Sequence, residues 1–364
     1  MDDNRRYWVA FNLVFCEELK LAKKIFEHFP SLEEIFKTGK KEVIALGLDE
    51  EQAQRIASRE LLDQASREID RIEKKNYSLL TLEDKKYPSY LREIFDPPFV
   101  IYCAGNVDLL EGPAVSIVGT RKPTPYGRAI TEKLAEDLAS RGLVIISGLA
   151  RGIDSFAHWG ALKGGKTVAV LGSGLENMYP RENKSLSKKI TERGAVISEF
   201  PLDAPPLGFH FPIRNRIISG LSMALVVVEA ARRSGSLISA RLALEQNREV
   251  MAVPGNMTSE FSQGTNWLIK TGAKLVESWE DVVDEFPSPL KENLLSRKEK
   301  KRVPSMKPRE KRVYNCLKED SLVHIDELVE KTESSVSELL AILLNLELKD
   351  LISQSPGKYF QRRM

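Results

Sequence analysis

The pattern of hydrophobic positions divides the chain into several parts. Residues 1–77 carry apolar side chains three or four positions apart, which predicts an all-helical region. Residues 78–286 alternate short runs of β-branched residues with amphipathic stretches such as 129–140 and 236–246. This alternation predicts an α/β domain with a parallel sheet that is covered by helices on both faces.

Nine segments within residues 78–286 have the composition of strands, and several are continuous apolar runs typical of strands buried on both faces. They span residues 78–81, 100–102, 115–118, 143–146, 167–171, 195–198, 225–228, 249–252 and 274–276. In the helical region before them, Gly47 followed by Asp49 resembles the turn of a helix-hairpin-helix, a fold often used on DNA backbones. A hairpin that serves only packing is the alternative, because the usual second glycine is missing.

The last 78 residues predict a linker and a small terminal domain. Residues 287–308 combine prolines with an excess of basic side chains, which is typical of a solvated linker. Residues 309–364 predict a winged helix: three helices, the second with Asp326 as its N-cap, and a hairpin across Pro356–Gly357. The third helix, residues 336–348, is apolar and acidic, so protein interaction is an alternative to DNA reading.

Turns rich in glycine, serine or arginine follow several predicted strands, at the edge where ligands bind in open α/β sheets. Glycine lets the backbone approach a ligand, helix N-termini present amides to anions, and arginine suits phosphate. The segments of this kind are Gly119–Thr120–Arg121, Ser147–Gly148, Tyr179–Pro180–Arg181, Arg214–Asn215–Arg216 and Ser234–Gly235–Ser236. Several such segments along one edge predict a ligand with many phosphates.

Each segment also has a simpler interpretation. A glycine after a strand can be only a turn, and Asp154 can be the carboxylate that begins a helix. Arg216 can pair with Glu199 or Glu229 inside the protein, and Phe211 can be a wall residue rather than a platform for bases. The phosphate interpretation therefore depends on the convergence of all these segments on one edge.

Composition narrows the function classes. The chain has 364 residues, of which 42% are hydrophobic and 29% charged, and a formal charge of +2. These values fit a globular protein of more than one domain and neither require nor exclude a nucleic-acid partner. Three distant cysteines and four scattered histidines predict neither a disulfide framework nor a metal site. The absence of a signal-peptide pattern and of a membrane-length apolar run predicts a cytoplasmic protein.

Motifs of common enzyme classes are missing from the sequence. It contains no P-loop, no complete G-x-G-x-x-G fingerprint and no serine in a G-x-S-x-G context. The sequence therefore predicts a binding site without a reaction centre and without a cofactor.

Five motifs together resemble the DNA-processing protein A family, also called DprA or Smf. They are GTRKPTPYG (119–127), SGLARGID (147–154), FPIRNRIISG (211–220), SGSLISAR (234–241) and VPG (253–255). The resemblance is close over about residues 80–286 and implies an extended Rossmann-like domain. It also implies an N-terminal helical domain resembling a sterile-alpha-motif fold and a C-terminal winged helix. The expected domain limits are 1–77, 78–286, a basic linker at 287–308, and 309–364.

The resemblance implies a non-catalytic function. It predicts binding of single-stranded DNA with little sequence preference, homodimer formation, and loading of the RecA recombinase during natural transformation. Arg121 would then hold a backbone phosphate from the Gly119–Thr120 turn, and Arg181 would take the place of a basic DNA contact. Arg214, Asn215 and Arg216 would line the same pocket. Backbone or hydroxyl contacts would come from Ser147, Gly148, Gly235 and Ser236.

Two other function classes stay open at this point. Nucleoside phosphoribohydrolases have a related fold, so an enzyme acting on nucleoside monophosphates is one alternative, although residues 234–241 lack their catalytic glutamate. A protein scaffold in which the winged helix dominates is the other.

Overall fold

The chain forms two compact units, residues 1–299 and 300–364. The computed structural model describes residues 4–297, 306–318, 321–332, 334–349 and 351–362. Each unit has its own hydrophobic core. Among the described residues, no helix is both long and apolar enough to cross a membrane.

A layer of helices opens the first unit. The helices are α1 (Arg5–Phe15), α2 (Leu19–His28), α3 (Leu32–Lys37), α4 (Lys40–Ala45), α5 (Glu50–Ile56) and α6 (Arg59–Lys74). The start of α5 is a capping box, in which the carboxylate of Asp49 accepts the Gln52 N–H and the side chain of Gln52 accepts the Asp49 N–H. Gly47, at φ +113°, makes the turn between α4 and α5. This capped turn agrees with the helical hairpin expected at these residues.

Within the described residues, nine strands form one sheet in the order β1-β2-β6-β5-β4-β3-β7-β8-β9. They are β1 (Ser78–Thr81), β2 (Val100–Gly105), β3 (Ala114–Gly119), β4 (Val144–Ser147), β5 (Lys166–Val170), β6 (Ala195–Ser198), β7 (Ala224–Val228), β8 (Glu249–Ala252) and β9 (Lys274–Leu275). Strands β3 to β9 are parallel, whereas β1 and β2 pair in antiparallel fashion. The predicted mostly parallel sheet is confirmed.

Helices accompany the strands of this sheet. They are α7 (Ser89–Arg92), α8 (Pro125–Ser140), α9 (Ile153–Gly164), α10 (Lys184–Arg193), α11 (His210–Gly220), α12 (Gly235–Glu245), α13 (Gln263–Lys270), α14 (Trp279–Val283) and α15 (Leu290–Ser296). Ala114 and Val118 of β3 belong to one buried cluster, and Val115 and Ile117 belong to another. Because successive side chains of a strand point to opposite faces, both faces of the sheet are covered.

The order of the strands reverses at β3. The chain passes from β3 through β4 and β5 to β6 on one side, and then places β7 on the other side of β3. In open α/β sheets, ligands bind at the carboxyl ends of the strands beside such a reversal. The loops after β7, β3, β4 and β5 follow one another along this edge, with neighbouring strands about 4.8 Å apart.

Aromatic packing joins the helical layer to the sheet. The ring of Phe99, immediately before β2, lies 4.9 Å from that of Phe11 and 6.4 Å from that of Trp8, measured between ring centroids. The amide side chain of Asn12 also donates a hydrogen bond of 2.8 Å to the carbonyl oxygen of Glu199. The helical layer and the sheet therefore share one core, and the domain limit at residue 77 stays a prediction from sequence.

Helix α15 lies within residues 287–308, which were predicted to be a solvated linker, but it packs against the core of the first unit. Leu294 is only 2% exposed and packs in the core with Leu290, one helical turn earlier. The guanidinium of Arg297 then donates a 2.6 Å hydrogen bond to the carbonyl oxygen of Arg141. Two leucines on one face of α15 therefore pack this segment against the first unit, although its basic charge predicted a solvated linker. Residues 298–305 of the predicted linker lie outside the described residues.

The second unit is the predicted winged helix. It contains α16 (Pro308–Cys316), β10 (Val323–His324), α17 (Ile325–Thr332), α18 (Val336–Leu348), β11 (Ile352–Ser355) and β12 (Tyr359–Arg362). Within its described residues, the strands pair in the order β10-β12-β11. Asp326 lies in the first turn of α17 and is not its N-cap, because Val323 and His324 pair with β12 instead of leading into the helix as loop.

The shared core predicts unequal effects of two nearby phenylalanines. Replacing Phe99 by alanine should lower the free energy of unfolding of the first unit by about 3–5 kcal/mol, because a large buried ring is lost. The matched variant F95A should cost at most about 1 kcal/mol, since Phe95 is 75% exposed and its ring contacts the ammonium group of Lys23. Urea unfolding followed by near-UV circular dichroism measures both. Equal effects of the two variants would contradict a core shared through Phe99.

Candidate functional site

A cavity of about 660 Å³ opens at the carboxyl ends of β3 and β7, where the strand order reverses. Its walls come from the loop after β3, the start of α9, helix α11, and the turn that begins α12. The cavity brings together a large part of the predicted site: Gly119, Thr120, Arg121, Arg214, Asn215, Gly235 and Ser236. These residues are spread over more than 100 positions in sequence but line one cavity.

The turn after β3 begins with a glycine because there is no room for a side chain. A Cβ atom at position 119 would collide with the carbonyl oxygen of Val228 on the neighbouring strand β7. The next residue, Thr120, donates its N–H to the carbonyl oxygen of Glu229 at 2.8 Å. The turn is therefore fixed to the end of β7, and it carries Arg121 out to the rim.

Glu229 holds the second half of this turn, and sequence reasoning missed that role. Its buried carboxylate accepts the N–H of Thr124 at 2.8 Å and also the hydroxyl group of Thr124. Thr124 in turn caps α8 by accepting the Gly127 N–H. The signal was a carboxylate directly after the apolar strand 225–228, where a charge needs partners.

Arg214 lies at the floor of the cavity and is 4% exposed. Its Nη1 atom donates to the carbonyl oxygen of Gly148 at 2.6 Å and to that of Val170. The pKa of Arg214 is lowered to about 10, mainly because the side chain is buried; the carboxylate of Asp154 opposes this shift and the charge of Arg121 adds to it. Arg214 therefore remains a cation near neutral pH, in a surrounding that favours an incoming anion.

Arg121 is exposed on the rim and forms no salt bridge with any described residue. The ring of Phe211 is close to both arginines, with its centroid 5.8 Å from the guanidinium carbon of Arg121 and 6.0 Å from that of Arg214. The ring of Tyr179 is 5.9 Å from that of Phe211 between centroids, and all four residues line one small cavity. Two cations and two aromatic rings thus form one continuous wall.

The N-terminus of α12 forms another part of the cavity wall. The hydroxyl oxygen of Ser234 accepts the Ser236 N–H at 3.3 Å and lies 2.8 Å from the Ser236 hydroxyl. Gly235, between them, is exposed, and a Cβ atom there would meet nothing within 4 Å. The first amides of an 11-residue helix thus border the same cavity as Arg121, an arrangement that suits a phosphate group.

Ser147 and Gly148 do not offer the ligand contacts expected of them. The Ser147 hydroxyl is fully buried and donates to the carbonyl oxygen of Ile117 at 2.6 Å. The Gly148 N–H donates to the carboxylate of Asp154 at 3.1 Å, and the Ala150 N–H donates to the same oxygen at 3.3 Å. Asp154 is therefore a helix-start carboxylate, and burial raises its pKa. The segment after β4 supports the cavity from behind.

Arg216 does not lie on the rim, which corrects the expectation that it lines the pocket with Arg214. Its guanidinium is buried, 2.6 Å from the carboxylate of Glu199 and 3.4 Å from that of Asp96. Side chains two positions apart on a helix point in directions about 200° apart, so one helix cannot present both arginines to one cavity. The interior pair with Glu199 was the alternative open from sequence.

Arg181 lies beside this cavity and not inside it. Tyr179 and Pro180 border a small neighbouring cavity together with Arg121 and Arg214. The next residue, Arg181, is exposed and lines a shallow groove with Lys184 and Lys188 of α10. The spacing of 181, 184 and 188 is helical and indicates one basic face, a signal that sequence reasoning did not use. The basic surface thus extends past the cavity on the α10 side.

The carboxylate of Asp154, in the cavity wall, already accepts two backbone amides, and that of Glu229, behind the turn after β3, accepts two groups of Thr124. Among the described residues, there is no group of three histidine, cysteine or acidic side chains suited to a metal ion. The chemistry that the site presents is recognition of anions.

Comparison with known proteins identifies similar chains. The family model described as DNA recombination-mediator protein A matches residues 78–287, and the DprA winged helix domain matches residues 298–358. The chain is 40% identical over 300 residues to the protein Smf of Escherichia coli, which covers 80% of this chain and 79% of that protein. The resemblance read from the five motifs is therefore confirmed.

Two solved structures are similar to this one. DNA processing protein A from Streptococcus pneumoniae superposes with a TM-score of 0.62 and 35% identity, over 79% of this chain and 99% of that one. DNA processing protein A from Helicobacter pylori, whose structure concerns its single-stranded DNA binding mode, has a TM-score of 0.53 and 35% identity, over 57% of this chain and 94% of that one.

Two glycines of the cavity should respond in opposite ways to alanine. G119A should lower the free energy of unfolding by about 1–3 kcal/mol, because the added methyl group overpacks the contact between β3 and β7. G235A should be neutral or stabilising by less than about 1 kcal/mol, because its methyl group has open space and the unfolded chain loses freedom. Urea denaturation midpoints compare the two. An unaffected G119A variant would contradict the close approach of the strands.

Proposed function

The chain belongs to the DNA recombination-mediator protein A family, and from this premise we propose that it binds single-stranded DNA without sequence preference along the carboxyl edge of its sheet. The observation that carries the proposal is the arrangement of Arg121, Arg214 and the α12 N-terminus around one cavity. These groups recognise phosphates, which every nucleotide carries, and they do not distinguish bases.

Groups from several loops would contact the phosphates of a DNA strand that lies in this position. Arg121 binds a phosphate at the rim, and the Gly235 amide and the Ser236 hydroxyl bind one at the start of α12. Arg214 contributes its charge from below, and Asn215 offers an amide side chain. None of these roles requires a bond to be made or broken, so the proposal assigns no catalytic step.

Aromatic side chains favour a single strand over a duplex. Tyr179 is 43% exposed beside Phe211, in the wall between Arg121 and the groove that contains Arg181. An unpaired base can stack on such a ring, whereas the bases of a duplex are already stacked inside the helix. The same wall therefore offers contacts to both the backbone and the bases of a single strand.

The name of the family, DNA recombination-mediator protein A, supports a role of this binding in DNA recombination. We extend the proposal accordingly: the protein acts in the cytoplasm as a homodimer, binds incoming single strands during natural transformation, and loads the RecA recombinase onto them. A strand-exchange assay with and without the protein tests the loading step. Stimulation by the wild-type protein and not by a variant that fails to bind DNA is the expected result.

The double variant R121A/R181A should bind single-stranded DNA more weakly. Each lost phosphate contact should reduce the slope of log K against log salt by about 0.7, and the double variant by about 1.4. The melting temperature should stay nearly unchanged, because both side chains are exposed. Fluorescence anisotropy with a labelled oligonucleotide across a salt series measures the slope.

The control for this experiment is R67A, which removes one exposed arginine from α6 in the helical layer. Its slope should equal that of the wild type. Undiminished binding by R121A/R181A would contradict the proposed site. A wild-type protein that prefers a duplex to a single strand would contradict the proposed ligand.

A further inference from the structure

A tight turn between β7 and α12 presents two adjacent arginines to solvent. The N–H of Ser234 donates to the carbonyl oxygen of Ala231 at 3.0 Å, which makes Arg232 and Arg233 the two central residues of a β-turn. Both side chains are exposed, and neither forms a salt bridge with a described residue. They directly precede the SGS sequence of the site.

The base of this turn is fixed, whereas its tip is free. Ala231 and Ser234, on either side of the two arginines, both line the cavity. The carbonyl oxygen of Ala230 accepts the Gly264 N–H at 2.7 Å, and a Cβ atom at Gly264 would lie only 2.6 Å from that oxygen. Close packing against the start of α13 therefore holds the turn at the edge of the cavity.

The strand order sets where this turn lies relative to the other cations. The turn follows β7, Arg121 follows β3, and Arg181 comes after β5. Because the sheet order is β5-β4-β3-β7, the turn and Arg181 lie on opposite sides of Arg121. At about 4.8 Å per strand, the three points are spread over about 14 Å along the edge.

Ordinary solvated arginines are the alternative explanation, and the charges nearby argue against it. Two neighbouring guanidinium groups repel each other when no anion lies between them. In α12, which begins directly after this turn, Arg241 has a carboxylate partner, since its Nε lies 3.2 Å from the carboxylate of Glu245. The pair at the turn has no such partner among the described residues, although it borders a site that attracts anions.

We propose that Arg232 and Arg233 form a second phosphate-binding point for a polynucleotide, beyond the cavity on the side opposite Arg181. Only a strand long enough to cross the cavity and continue past α12 engages it. The inference rests on the proposed function and deepens it: the ligand is a strand that crosses the whole edge, so affinity depends on its length.

The test compares the variant R232A/R233A with the wild type on oligothymidylates of about 3 and about 20 nucleotides, which are shorter and longer than the about 4–16 nucleotides of common single-strand sites. For the long strand, the salt slope should fall by about 1.4, since two phosphate contacts are lost. For the short strand, which the cavity and Arg121 hold, affinity and slope should equal those of the wild type. R232K/R233K should restore the long-strand slope.

Two controls separate the possible failures. R241A removes an exposed arginine of α12 that has its own carboxylate partner, and it should change neither slope. R121A should weaken the binding of both strands, and it reports on the proposed function itself. An unchanged long-strand slope for R232A/R233A, beside a weakened R121A, would overturn this inference alone. An equal loss on both strands would also overturn it, because the turn would then belong to the central site. A wild-type protein that binds neither strand would overturn both proposals.

Discussion

The reversal of strand order at β3 is the constraint on which the site depends. It makes β7 the neighbour of β3, so that two loops separated by about one hundred residues end side by side. The contact is close enough to require glycine at position 119 and to let the backbone of Glu229 hold Thr120. Without this pairing, Arg121 and the α12 N-terminus would be parts of two unrelated surfaces. Parallel pairing, and not any single side chain, thus creates the cavity.

The arginines around this site divide into those held inside the fold and those that are free on its rim. Arg216 is neutralised inside the protein by Glu199, and Arg214 is held by the carbonyl oxygens of Gly148 and Val170. These two fix α11 against the ends of the sheet. Arg121, at the rim, has no acidic partner among the described residues, so its charge is available to a ligand. A rigid, internally satisfied floor and free cations above it together give an anion site whose shape does not have to form on binding.

The sequence predicted the architecture well, because β-branched runs and glycine turns are local signals. All nine strands, the helical region and the winged helix follow from such patterns. Side-chain direction was less predictable. Arg214 and Arg216 look equivalent in sequence, and only their positions around α11 separate a cavity residue from an interior ion pair. Ser147 was misplaced for a similar reason, since its hydroxyl bonds backward to Ile117 within the sheet. Partners distant in sequence, such as Thr124 and Glu229, leave no local trace.

Gly148 shows how a backbone position without a side chain can determine where a charged group lies. The carbonyl oxygen of this residue holds Arg214 from one side, and the missing side chain leaves the space that the guanidinium occupies. Even one methyl group at this position would displace the guanidinium of Arg214 without altering the net charge of the protein. The electrostatic potential of the cavity is therefore encoded partly in an uncharged position, where a comparison of charged residues between relatives would overlook it.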